Sequence, residues 1–246
     1  MKKIGIIGCG AIGTIVANAL DNGIIRDCSL ILHDVDVKAA ETLKKSLQTP
    51  VEIVRSIDDM IKAKPTVIVE AASQQAVRKF IHQILAADIE LIVMSVGALL
   101  DLEVKSKRLH VPSGAIGGLD AISSAALAGI DEIVLTTRKN PSTLDAANRQ
   151  EKLVFEGNAQ HAVLVFPKEM NVAATLALTV QPEKVKVKVI SDPNVNKNLH
   201  EIRVVWKHGE MLMKFRNDSH PTNPGTSALA AWSAIDLLKE LLEKNV

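Results

Sequence analysis

Through residue 110 the chain alternates two patterns. Short apolar runs lie at Lys3–Ile7, Ser29–His33, Thr66–Glu70 and Glu90–Met94. Between them, at Ala11–Asp21, Lys38–Ser46, Ile57–Ala63 and Gln75–Ala87, apolar residues return every three or four positions. Runs such as Val67-Ile68-Val69 and Leu91-Ile92-Val93 have no polar face, so they suit parallel strands covered on both sides. The amphipathic stretches supply the covering helices. The alternation predicts an α/β fold with a doubly wound parallel sheet.

Beyond residue 110 the strand-like runs lengthen and alternate, at Ile133–Arg138, Ala162–Phe166, Lys184–Ile190, Ile202–Lys207 and Met211–Phe215. Lys184-Val185-Lys186-Val187-Lys188-Val189 is a period-two strand with one wet face. Helical pieces at Ala121–Ala128 and Asn171–Val180 interleave. This predicts a second, α+β domain with an open mixed or antiparallel sheet, and a broad one-sided sheet is a usual place for subunits to pair. From Thr226 to Lys244 the helical pattern returns, with Leu229, Trp232, Ile235, Leu238 and Leu242 as its stripe and Thr226 or Ser227 as its cap. That helix is expected to rejoin the first domain. The division predicted is 1–113 with 219–246, and 114–218 as a substrate and dimerisation domain. There is no Gly/Ser linker, low-complexity segment or internal repeat.

The junction of the first run with the first helix changes the picture. Ile4-Gly5-Ile6-Ile7 leads into Gly8, Gly10 and Gly13, spaced G-x-G-x-x-G, and Ala11-Ile12 opens the helix. The second run, Leu30-Ile31-Leu32, ends at Asp34, about 20 residues after the last glycine. Strand, glycine loop, helix, strand and acid in this order form a Rossmann-type dinucleotide-binding unit. Gly8 permits the tight turn, Gly10 lets backbone approach a pyrophosphate, and Gly13 lets helix and strand pack closely. The helix N-terminus offers N–H groups and a positive dipole end to the phosphates. Asp34 is placed to accept from the adenosine ribose hydroxyls, which favours NAD, although His33 and Lys38 nearby would soften repulsion of a 2′-phosphate. The ligand-free alternative is a tight strand-to-helix turn. Two strand ends, Glu70-Ala71-Ala72-Ser73 and Ser95-Val96-Gly97-Ala98, carry the small residues that leave room for ribose and nicotinamide beyond the sheet, or form ordinary small-residue loops.

Composition mainly excludes. A 246-residue chain that is 47% hydrophobic supplies one large or two modest cores. Net charge +1 with no basic run, and aromatics at 2% with no tyrosine, leave no footprint for nucleic acid. No apolar run reaches the ~18 residues of a membrane span. Two cysteines, Cys9 and Cys28, make no disulfide framework, and Met1-Lys2-Lys3 runs straight into a strand, so a cytoplasmic protein without a signal peptide is expected.

A hydride-transfer site needs a general acid or base, and histidine is the usual one. None of the seven histidines falls in a metal-ligand spacing, so no metal is expected. His33, His82, His110, His161 and His208 have bland settings beside the acid, in a polar helix, at strand edges and in a hairpin turn. His200 follows the polar loop Ser191–Asn196 and precedes a strand; His220 precedes the polar turn Pro221–Ser227. Taken alone, either reads as a surface or capping residue first. Thr137-Arg138-Lys139-Asn140 offers a carboxylate site, with Arg138 bidentate, or a solvated hairpin end. Asn171 reads as a helix cap, and the glycine-rich Val111–Asp120 as a junction that lets backbone approach a ligand.

Together these segments resemble the L-aspartate dehydrogenase family. The resemblance rests on Ile7-Gly8-Cys9-Gly10-Ala11-Ile12-Gly13, Ser95-Val96-Gly97-Ala98, Pro112-Ser113-Gly114-Ala115-Ile116-Gly117, Pro167-Lys168 with Asn171-Val172-Ala173-Ala174-Thr175, Asn198-Leu199-His200-Glu201, and Asn223-Pro224 with Thr226-Ser227. It implies NAD-dependent oxidation of L-aspartate to iminoaspartate, which feeds NAD biosynthesis or hydrolyses to oxaloacetate and ammonia, with NADP also accepted. It implies His200 as the active-site residue and Ala115 and Asn171 as cofactor contacts. Arg138, Lys168, Asn223, Thr226 and Ser227 are unranked candidates for the two substrate carboxylates, and a homodimer is expected. One departure is visible: Leu99 to Val111 is shorter than the family's helical crossover, which leaves the sheet topology there open. Competing readings are a reductase or dehydrogenase like dihydrodipicolinate reductase or homoserine dehydrogenase, and a non-catalytic NAD-sensing protein.

Overall fold

The computed structural model describes residues 1–144, 146–181, 184–220 and 223–243. The chain divides into two compact units, Met1–Pro112 with Ala230–Val246, and Ser113–Leu229.

In the first unit β1 (Lys2–Ile7), α1 (Ala11–Asp21), β2 (Cys28–His33), α2 (Val37–Lys45), β3 (Val51–Ile53), α3 (Ile57–Lys62), β4 (Val67–Glu70), α4 (Gln74–Ala86), β5 (Glu90–Val93) and β6 (Leu109–His110) follow in turn. The sheet order is β3-β2-β1-β4-β5-β6, and every pair is parallel. The strand order reverses at β1, which opens the crevice where such sheets take ligands. Side chains fix three helix starts: Asp36 accepts from Lys38 N, Ser56 from Asp59 N and Ser73 from Ala76 N.

The three-residue β3 is absent from the sequence reading, being too short to show a period. The short crossover after β5 is met by a 3-10 turn, Val96–Leu100. The sheet stays parallel there, because Leu91 N donates to Arg108 O at 2.8 Å and Glu90 holds both Arg108 Nη1 (2.8 Å) and His110 Nε2 (2.6 Å).

The terminal helix α8 (Ala228–Glu243) buries Ala234, Ile235, Leu238 and Leu242 in the same core as Ile4, Ile6, Leu30 and Leu32, and Ala231 is buried as well. Burying Ile235 and Leu238 contributes about 1.5–3 kcal/mol each. Leu229 (38%) and Trp232 (48%) are exposed, so the inward stripe is rotated from the expected one and uses alanines. Thr226 and Ser227 precede the helix in a strand. Lys244, included in the expected helix, lies outside the described residues.

The second unit contains α5 (Leu119–Ala128), β7 (Ile130–Lys139), β8 (Lys152–Asn158), α6 (Ala159–Val165), α7 (Asn171–Thr179), β9 (Val185–Ser191), β10 (Lys197–Trp206), β11 (Gly209–His220) and β12 (Asn223–Ser227). Its sheet order is β12-β11-β10-β7-β9-β8, with β7 and β9 parallel and the other pairs antiparallel. Ala162–Phe166, expected as a strand, is helical over Ala159–Val165. A short apolar run does not separate the two, and the Asn158 side chain decides the matter by accepting from His161 N at 2.8 Å. β11 and β12 extend this sheet past His208 to Ser227, so the second crossing between units falls after Leu229, later than the sequence suggests.

The two faces differ. Ile133, Leu135, Val185, Val187, Val189, Ile202 and Val204 are buried on one face. The alternate residues carry Glu132, Lys186, Arg203, Glu210 and Leu212, with ion pairs Arg203–Glu132 at 3.0 Å and Lys186–Glu132 at 3.5 Å.

Candidate active site

In the first unit the three motif glycines have different reasons to be glycine. Gly8 has φ +96°, and a Cβ there would meet Ala71 O at 2.6 Å. A Cβ on Gly13 would lie 1.9 Å from Gly8 O, so the start of α1 presses on the loop. Nothing lies within 4 Å of a Cβ on Gly10, so the chain's own packing does not require a glycine there. Gly10 is the N-cap of α1 and brings no capping side chain, so the first N–H groups of the helix have no side-chain cap and carry the positive end of the helix dipole. This cradle fits a dinucleotide pyrophosphate.

Asp34 sits beyond the end of β2. Its Oδ2 accepts from Cys9 N at 2.7 Å and its Oδ1 from Asp36 N at 2.8 Å, so the acid also pins the glycine loop. Each oxygen keeps a lone pair for a ribose hydroxyl. Burial, with the Asp34 charge, pushes the Cys9 thiol up to about 12, so it stays protonated and unreactive.

Glu70 ends β4 and is 3% exposed. Oε1 accepts from Ala72 N (2.8 Å), Ser73 N (2.9 Å) and Ser95 Oγ (2.9 Å), and Oε2 accepts from Ser95 N (3.0 Å). Burial raises the pKa of this carboxyl, and the hydrogen bonds oppose the rise. The two small-residue strand ends of the sequence reading are thus one braced structure.

In the second unit β10 places His200 on the buried face, 3% exposed, with Nδ1 3.0 Å from Thr137 Oγ1 on β7. His200 pairs in register with Thr137, so the contact follows from the strand alignment. Two residues on along β7, on the same face, is Lys139. It is 2% exposed, and its Nζ donates to Gly225 O at 3.0 Å. Among the described residues this is the one hydrogen bond of the ammonium. Burial pushes Lys139 down from its ordinary 10.5 to about 8, with Glu169 acting in the opposite sense. Burial first, and the Lys139 charge second, push His200 down to about 3. The face therefore presents a neutral imidazole beside a buried cation with unused N–H donors.

The other candidates divide. The bond from Lys139 to Gly225 ties β7 to β12, which carries Asn223, Thr226 and Ser227; Asn223 is exposed and Ser227 is buried. Ala115 is 4% exposed and its carbonyl accepts from Asn217 Nδ2 at 3.0 Å. Asn171 is the first residue inside α7, and Met170 is the N-cap, so Asn171 is not the cap that its sequence context suggests. Lys168 is exposed in the turn before α7. Arg138 points to the opposite face of β7 from Thr137 and Lys139. It is held there by Asp192 (2.9 Å) and Glu151 (2.5 Å), which raise its pKa further. The sequence names Thr137 and Lys139 only within a segment whose carboxylate fork is Arg138, and Glu70 only as the end of a strand. A signal existed for two of them: Thr137 and Lys139 continue the inward period of Ile133 and Leu135, so they are polar where the pattern demands apolar residues.

A dinucleotide cradle and a buried neutral histidine beside a lysine are the parts of a nicotinamide-dependent dehydrogenase. Comparison with known proteins narrows the class. A family model described as "Aspartate dehydrogenase, C-terminal" matches residues 120–241, and one described as "Homoserine dehydrogenase, NAD binding domain" matches residues 8–111. The L-aspartate dehydrogenase of Methanosarcina mazei is 41% identical, over 98% of this chain and 97% of its own length; that of Methanosarcina barkeri is 39% identical over the same shares. The crystal structure of aspartate dehydrogenase from Thermotoga maritima superposes with a TM-score of 0.76 at 26% identity, over 100% of this chain and 98% of that one. The chain belongs to the L-aspartate dehydrogenase family.

Proposed function

We propose that this protein oxidises L-aspartate to iminoaspartate with NAD, NADP serving as well, and that the imine feeds NAD biosynthesis or hydrolyses to oxaloacetate and ammonia. The observation that carries the reading is the neutral His200 beside the buried Lys139 in a member of this family. What the nicotinamide ring supplies when bound is acceptance of a hydride from the substrate Cα. Gly8, Gly10, Ala11, Ile12 and Gly13 hold its pyrophosphate, Asp34 its ribose, and Ala115 and Asn171 its nicotinamide end.

The remaining work falls to the second unit. Loss of a hydride from Cα and of a proton from the amine leaves a C=N bond. His200 takes that proton, with Thr137 fixing its ring through Nδ1. The ammonium of Lys139 meets one substrate carboxylate, and Lys168, Asn223, Thr226 and Ser227 supply donors for the other. Seating an anion on Lys139 offsets the positive field at His200 and so lifts its basicity as substrate binds. Arg138 has no part in this reading, because Asp192 and Glu151 already match its charge. His200 can next return that proton to the imine nitrogen and, neutral again, take one from the water that attacks the imine carbon.

The test is His200→Ala. Turnover of L-aspartate should fall at least ~100-fold while NAD affinity is unchanged. Retained turnover would remove His200 from the mechanism. We further infer a cytoplasmic homodimer. Both cysteines are free, no helix among the described residues is long and apolar enough to cross a membrane, and Leu212 and Leu153 are 59% and 48% exposed on the open sheet face.

A further inference from the structure

A cavity of about 830 Å³ in the first unit lies beside Asp34 and is lined also by Arg55, Ser56, Asp58, Ser73 and Lys79. Its size suits a nucleoside. Arg55 has the most telling position. β2 and β3 pair Leu30 with Val51, Ile31 with Glu52 and Leu32 with Ile53. Continued by two residues, this parallel register sets Asp34 beside Arg55, so an acid and a base leave neighbouring strands side by side. They form no ion pair. Both Asp34 oxygens are engaged by the backbone N–H groups of Cys9 and Asp36, and Arg55 has no hydrogen bond or ion pair among the described residues.

The other basic residues near Asp34 are less suited. His33 is 9% exposed, and its Nδ1 lies 3.1 Å from Val54 O. Lys38 does not line the cavity. Lys79 lines it, with Nζ 4.9 Å from the centre of the Phe80 ring. Asp58, the second acid on the wall, hydrogen-bonds Gln83.

We propose that Arg55 is the specificity-determining residue for a phosphate on the adenosine 2′ oxygen. Asp34 accepts from the ribose hydroxyls of NAD, and Arg55 offers its guanidinium fork to the 2′-phosphate of NADP, so one cavity takes both cofactors. The fork matches phosphate geometry, and two backbone donors already offset the Asp34 charge that would repel the phosphate. This rests on reading the cavity as the adenosine end of the dinucleotide site.

The test is calorimetric titration of the full chain and of Arg55→Gln and Arg55→Lys with NADP and with NAD, without substrate. Arg55 is exposed on a loop, so neither variant burdens the fold. In Arg55→Gln the Kd for NADP should rise about ten-fold or more while that for NAD stays within about two-fold, the loss of one charge-assisted contact. Arg55→Lys should recover part of the NADP affinity, since an ammonium keeps the charge without the fork. An unchanged ratio of the two Kd values in Arg55→Gln overturns the inference. So does wild-type protein that binds NAD and not NADP, which leaves the dehydrogenase reading standing; wild-type protein that binds neither cofactor overturns that reading itself.

Discussion

Lys139→Met should make the protein more stable and less active. Lys139 is 2% exposed, and burial pushes it from 10.5 to about 8. Holding the ammonium there at pH 7 costs roughly 3 kcal/mol relative to an unfolded chain, at 1.36 kcal/mol per pH unit. Methionine is similar in length and apolar, so the volume is kept. The substitution strands the Gly225 carbonyl, which loses about 1 kcal/mol. The net expectation at pH 7 is a gain of about 2 kcal/mol in unfolding free energy, read as a higher urea midpoint at unchanged slope. The pH dependence carries the sign. Between pH 8 and 10.5 the unfolded chain keeps the lysine proton and the folded chain has lost it, so wild-type stability climbs across that window. The variant lacks this climb, and its advantage vanishes by about pH 10. L-aspartate oxidation should fall at the same time, the exchange of stability for function expected when a binding site holds a buried charge. A variant less stable than wild type at pH 7, together with a wild-type curve flat above pH 8, would refute the reasoning.

His200 makes the matching prediction in acid. Its pKa is pushed from 6.5 to about 3, so as pH falls through this range the unfolded chain takes up a proton that the folded chain refuses, and stability drops. His200→Ala should show a shallower loss of stability between pH 6.5 and 3 in denaturant titrations; an acid limb parallel to wild type would contradict the burial argument. Sedimentation should give a mass near twice 26.5 kDa, and Leu212→Glu on the open sheet face should halve it; wild-type protein at 26.5 kDa would sink the homodimer.

The first unit was largely legible because its signals are local. Continuous apolar runs, three side-chain caps and the G-x-G-x-x-G spacing each lie within a few residues, and α1 runs from Ala11 to Asp21 as the periodicity states. β3 and β6 were not legible, since three and two residues show no period and exist by pairing with β2 and β5. In the second unit the run Ala162–Phe166 misled, because its helix depends on the Asn158 cap rather than on the run itself. The site was half legible. His200 entered through a resemblance, since its residue context alone is bland. Its partner Thr137 is 63 residues away and depends on the register of β7 and β10. Telling Arg138 from Lys139 required knowing which face of β7 is buried: the register sets Lys139 on the face of His200 and Arg138, with its fork, on the other. Glu70 looks like the polar end of a strand until its four bonds to two loops are seen.

The most direct measurement is the absorbance change at 340 nm when the purified protein meets NAD and a panel of L- and D-amino acids at mildly alkaline pH. Reduction with L-aspartate, and none with alanine or D-aspartate, is the predicted result. No reduction with L-aspartate, in protein shown separately to bind NAD, would contradict the account.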